Sequence, residues 1–207
     1  MPRSSLRAPR PALTLAALAL GACATSPPSQ FYLITPLPAA ESPTPAARGG
    51  PALGVGPVKL PAYLDRPEVV SRTSPNALKL AEFNRWAEPL EDSFKRVLAM
   101  NLGLLARTDR VSVFPWPRSA PIDYQVSVEV DRFDADANDQ VVLIARWQGL
   151  AGADGRPVRT GRTVLTEPAA SRDYDDLAGA MSAAVAALTR EIGAAIPSKP
   201  LAGAGRP

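Results

Sequence analysis

The sequence predicts one α+β domain: a mostly antiparallel or mixed β-sheet with two amphipathic helices packed on one face. Three observations lead there. Residues 124–131 alternate with the period of a strand, Tyr124, Val126, Val128 and Val130 against Gln125, Ser127, Glu129 and Asp131. Two stretches, 89–107 and 174–196, carry apolar residues at helical spacing instead. The order of elements is three strands, a helix, four strands and a second helix. Each one-faced helix therefore follows a run of strands that it can cover.

Taken in order, residues 31–34 (FYLI) form a short β-rich run closed by Pro36, and residues 36–52 read as a proline-rich loop. Residues 53–60 are a strand in which Pro57 predicts an edge or a bulge, because proline cannot donate to a ladder. A turn follows at 61–67, then strands at 68–73 and 77–81. The first helix starts with Pro89, whose missing N–H is harmless in a first turn. Glu91 and Asp92 sit at its positive end and Arg107 at its negative end. Its apolar face is Leu90, Phe94, Val97, Leu98, Leu104 and Leu105, together with Asn101, which needs a partner if buried. Strands follow at 111–114, 122–133, 141–150 and 158–167, with Asp154-Gly155 as a hairpin signal and 134–139 as a solvated polar turn. The second helix is capped by Asp173 and buries Leu177, Met181, Val185, Leu188, Ile192 and Ile196.

The N-terminus has a different character. Residues 1–10 carry Arg3, Arg7 and Arg10 and no acid; residues 11–20 (PALTLAALAL) carry no charge. That run is shorter than the roughly 20 apolar residues that span a bilayer, and with its basic flank it reads as a secretory signal. Leu20-Gly21-Ala22-Cys23 then resembles the bacterial lipobox, in which small residues precede a cysteine whose sulfur receives a diacylglyceryl group. Cys23 is the only cysteine of the chain. The expected organisation is a signal peptide at 1–22, a lipidated cysteine and flexible stalk at 23–30, a single periplasmic domain at 31–196, and a disordered tail at 197–207. Ala24, in place of an aspartate, points by resemblance to the outer membrane, with the periplasmic face of the inner membrane as the alternative.

Composition narrows the function. Without the three signal arginines, 20 basic side chains face 20 acidic ones. A neutral domain offers no basic patch for nucleic acid. One cysteine permits no intrachain disulfide, and the absence of histidine removes His-based triads and ligands. No catalytic residue, metal site or cofactor is expected. Asp134-Ala-Asp136-Ala-Asn138 imitates the start of a calcium loop, but Asp139 and Ala145 occupy the positions that want glycine and a bidentate glutamate.

Two segments mix aromatic, charged and turn residues: Tyr63-Leu64-Asp65-Arg66-Pro67, and Arg85-Trp86 ahead of Glu88-Pro89-Leu90. An Asp–Arg bridged turn and a Trp that staples the helix start explain them structurally. A partner interface at Tyr63, Asp65, Arg66, Arg85 and Trp86 is the functional reading, because aromatic and arginine anchors dominate contact surfaces.

With the lipobox, the Phe31-Tyr32 strand and the Asn101-Leu102 pair, these segments resemble the auxiliary lipoproteins of ABC-type transport systems. Leu33 following Tyr32 directly is a slight departure. The resemblance covers roughly residues 20–196. It implies an accessory or docking subunit for a machine that moves lipids between inner and outer membranes. Its partners would be an inner-membrane transporter and a protein with a mammalian-cell-entry domain; a homo-oligomer of this chain is left open by the sequence. The competing function is a stand-alone envelope lipoprotein with a structural or cell-wall enzyme-activating role.

Overall fold

The computed structural model describes residues 27–38, 50–152, 154–197 and 199. The lipobox, Cys23 and most of the proline-rich loop and of the tail lie outside the described residues. Among the described residues there are eight strands: β1 (Gln30–Tyr32), β2 (Leu53–Lys59), β3 (Glu68–Ser74), β4 (Ala77–Trp86), β5 (Val111–Val113), β6 (Tyr124–Ala135), β7 (Gln140–Ala151) and β8 (Pro157–Pro168). Two helices accompany them, α1 (Leu90–Ala106) and α2 (Tyr174–Ala195). The α+β expectation is met, and the sheet is mixed.

Strand β6 organises the sheet. One edge pairs along its whole length with β7, antiparallel, and β7 pairs in turn with β8. The other edge is shared. Its first half takes β2 in parallel, from Leu53↔Tyr124 to Lys59↔Glu129, and its last residue, Ala135, meets Ser71 of β3. Strand β3 continues to β4 and β4 to β1, while β2 also carries β5. The chain from β2 to β3 thus runs along β6 and bulges outward between them as a single 3-10 turn, Ala62–Leu64.

Alternate residues of β6 and β7 enter the core: Tyr124, Val126, Val128 and Val130 from one, Val141, Leu143, Ala145 and Trp147 from the other. The helices cover them, α1 packing on β2, β5 and α2, and α2 on β7 and β8. Phe94 of α1 meets Phe133 of β6 edge-on, ring centres 5.5 Å apart. Pro57 marks a bulge, the register with β6 shifting between Val55 and Val58. Gly56 supplies the left-handed backbone (φ 124°) that the bulge needs, and a Cβ there would stand 2.5 Å from that of Phe114.

Local expectations are met at several ends. Asp173 caps α2, its carboxylate accepting from the Asp175 N–H at 3.3 Å. The need of buried Asn101 is met in part: its Oδ1 accepts from the Leu37 N–H at 2.8 Å, while its Nδ2 has no hydrogen-bond partner among the described residues. Near the tail, the Lys199 carbonyl accepts from the Tyr124 hydroxyl at 3.2 Å. Others are corrected. Pro89 is the cap residue of α1 rather than its first helical one. The buried face of α1 takes in Leu102, while Leu105 stays partly exposed beside Gly193 of α2. Strand β4 runs on to Trp86 instead of ending at residue 81. Strand β6 runs on to Ala135, so Asp134 is a strand residue with a fully buried side chain and not part of a solvated turn.

Candidate functional site

The 3-10 turn and the entry to α1 lie opposite each other across a cleft of about 720 Å³. Residues 60–67, all but Tyr63, make one wall, and residues 86–92 make the other. The Trp86 N–H donates to the Pro67 carbonyl at 2.7 Å, and the Leu60 N–H to the Glu91 carboxylate at 3.3 Å, so the walls are tied at both ends. Leu64, Trp86 and Leu90 are buried and give the cleft an apolar floor. Asp65, Glu88, Glu91 and Asp92 line it against one guanidinium, Arg66. Glu91 and Asp92 also oppose the positive end of the α1 dipole. Arg96 holds Glu88 at 2.5 Å and keeps its carboxyl below the usual glutamate range, against a smaller opposing effect of burial.

Behind the turn, a buried polar network fixes it to the sheet. Asp134 accepts from the Tyr63 hydroxyl at 2.8 Å, from Arg72 at 3.1 and 3.3 Å, and from Arg132 at 2.9 Å. Arg72 also lies 5.9 Å from the centre of the Tyr63 ring, within range of a cation–π contact. Residues from β3, β6 and the turn therefore converge on one carboxylate, and the cleft wall inherits its position from them.

Burial first, then the hydrogen bond to Asp134, pushes the Tyr63 hydroxyl up to about 12. A raised value means that folding favours the protonated phenol. That stability is whole below the unfolded value of 10.0 and is lost as pH rises through the folded one. Denaturant titrations between pH 10 and about 12 should show wild type losing more stability than Tyr63→Phe. Equal losses would remove Tyr63 from the alkaline transition.

The sequence profile of the family described as ABC-type transport auxiliary lipoprotein component matches residues 32–193. The chain belongs to that family. The intermembrane transport lipoprotein PqiC of Escherichia coli (strain K12) is 28% identical over 185 residues, spanning 87% of this chain and 95% of that relative. Two solved structures share the fold. The crystal structure of an uncharacterized protein, 20% identical, superposes with a TM-score of 0.67 over 83% of this chain and 100% of its own. Protein XCC0632 from Xanthomonas campestris, 21% identical, gives 0.63 over 80% and 93%.

In this auxiliary lipoprotein, the two segments that carried the resemblance prove to be the two walls of one cleft. Of the five residues expected at an interface, Asp65, Arg66 and Trp86 line it. Tyr63 does not, its hydroxyl being turned to Asp134, and Arg85 does not, its guanidinium donating to the Glu82 carbonyl at 3.3 Å. No Asp65–Arg66 ion pair forms among the described residues, and the Arg66 Nε is out of water without a hydrogen-bond partner. Sequence reading missed Leu60, Leu64 and Glu91 as lining residues. Apolar spacing around a turn gives no sign of which side faces a neighbouring helix.

Proposed function

We propose that this chain is a membrane-anchored accessory subunit that docks onto an ABC-type machine carrying lipids between two membranes, and that the cleft is its contact. The observation that carries this reading is the meeting of residues 60–67 and 86–92 around one space. An apolar floor under an acidic rim suits a partner segment that presents apolar side chains flanked by basic ones. The name of the E. coli relative, an intermembrane transport lipoprotein, supports the lipid-transport reading. Anchoring falls to the Cys23 sulfur, with a signal peptide at 1–22 and a stalk at 23–30 before the domain. Ala24 favours the outer membrane, facing an inner-membrane transporter and a mammalian-cell-entry-domain partner. In this reading the lipid on Cys23 supplies the attachment; no helix among the described residues is long and apolar enough to cross a membrane. Catalysis has no place in this role.

The test is co-purification from crosslinked envelopes. Wild type should recover transporter components. Arg66→Ala should reduce that recovery several-fold while keeping its melting temperature, because Arg66 has no ion pair to lose among the described residues. Recovery of cell-wall synthases in their place overturns the docking role. Unchanged recovery with Arg66→Ala removes this guanidinium from the contact.

A further inference from the structure

We infer that the edge of the sheet formed by β1 rests on the lipid surface to which the chain is anchored, with Phe31 and Leu33 as the side chains that enter it. This rests on the anchoring at Cys23 proposed above.

Phe31 is 63% exposed and Leu33 45% exposed, although both belong to an apolar run whose neighbours, Tyr32 and Ile34, are buried. The run therefore points one pair of apolar side chains into the core and the other pair out of the protein. β1 pairs only with β4 among the described residues, so its outer edge has no neighbour. An exposed apolar pair on an open edge invites a partner.

The short tether says which partner. Seven residues lie between Cys23 and Phe31, and the eight chain steps from one to the other, fully extended, reach at most about 29 Å. An acyl anchor on Cys23 holds its own end at the boundary between lipid and water. The β1 edge can never leave that boundary by more than this, and a stalk that is not fully extended keeps it closer. Because β1 is parallel to β4, with Gln30↔Asn84 and Phe31↔Arg85, the chain enters β1 from the side of the β3–β4 hairpin. Leu78 and Leu80 stand exposed on that same stretch of β4. Arg85 lies in register beside Phe31 and offers a cation at the level of the phosphates. An aromatic side chain with a neighbouring guanidinium suits the headgroup region, where apolar surface leaves water while charge stays hydrated. A second copy of the chain fits less well, because a three-residue edge offers few backbone pairings.

The chain offers its own handle for a test. Its single cysteine is blocked by the anchor, so one introduced thiol is unique. An environment-sensitive fluorophore is attached through Phe31→Cys, Leu33→Cys or, as a control on the outer side of α1, Met100→Cys, which replaces a half-exposed residue. The full lipidated proteins are reconstituted in vesicles of phosphatidylethanolamine and phosphatidylglycerol, with the acyl mass on Cys23 verified beforehand. Doxyl-labelled lipid should quench the probe at positions 31 and 33 several-fold more than at 100, and emission at 31 and 33 should shift to the blue. Labels at 31 and 33 as wet and as unquenched as the one at 100 overturn the proposal. A blue shift that lipid does not quench also overturns it, and assigns the edge to a second copy. A preparation without acyl chains on Cys23 refutes the anchor itself, and the edge proposal falls with it.

Discussion

Asp134→Ala lowers the stability of this domain by about 3 kcal/mol, toward the lower end of what the loss of one partner from a buried ion pair costs. Asp134 is 0% exposed, and its carboxylate accepts from Tyr63, Arg72 and Arg132. Alanine leaves two guanidiniums and a hydroxyl facing an empty site. The side chains of Arg72 and Arg132 keep 21% and 25% of their exposure, so both reach water, which tempers the loss. Asp134→Asn keeps the volume and some hydrogen bonds but not the charge, and should fall between the two. Asp136→Ala is the contrast. Among the described residues, the Asp136 carboxylate accepts only the N–H groups of Asn138 and Gln140 in the hairpin turn, so its loss should cost about 1 kcal/mol. Urea denaturation of the variants side by side measures this, and equal midpoints for Asp134→Ala and wild type would refute it. Since the network sets the position of the 3-10 turn, Asp134→Ala should also weaken partner recovery.

Trp86→Ala is expected to cost about 3–5 kcal/mol, the range for deleting a buried large aromatic side chain. Trp86 is 5% exposed in the structure. It ends β4, faces the core that Leu64 and Leu90 share, and touches the cleft only with what remains uncovered. Any loss of partner binding in this variant therefore follows from a loosened floor. Melting temperature and crosslinking should fall together. Trp86→Phe should recover most of the stability and, with it, the binding. Crosslinking lost at an unchanged melting temperature would instead make Trp86 a direct anchor. Arg66→Ala is the opposite case, a change expected to alter contact without altering the fold. The pair separates what the cleft is made of from what it presents.

The legible parts of this fold are those whose signal is local. Alternation along β6, the Asp173 cap and the α2 stripe each depend on neighbours a few residues away, and each appears in the structure as the sequence implies, except that the stripe ends at Ile192 and Ile196 stands half-buried beyond the helix. Asn101 was recognisable as a polar residue in need of a partner, but nothing nearby named the Leu37 N–H, 64 residues distant. Asp134 shows the same difficulty in a stronger form. Its setting, D-A-D-A-N, has the composition of a turn, and the arginine that most completely engages it comes from β3, 62 residues earlier. The register shift between Val130 and Arg132 decides which way the end of β6 faces, and no local pattern encodes it. The cleft was legible as two unusual segments and illegible as one site, because their meeting depends on how β3 returns into β4.

The double-sided use of β6 has a consequence for the order in which this chain assembles. Strands β1, β4 and β3 form one group, β2 and β5 another, and β7 with β8 a third; among the described residues, β6 is the strand that joins them. A chain emerging from its N-terminus has no such junction until residues 124–135 appear. Before then it carries two partial sheets with open edges, which are free to pair with other chains. Fragments that stop short of residue 124 should therefore aggregate rather than fold, and a chaperone would need to shelter the first half until the second arrives.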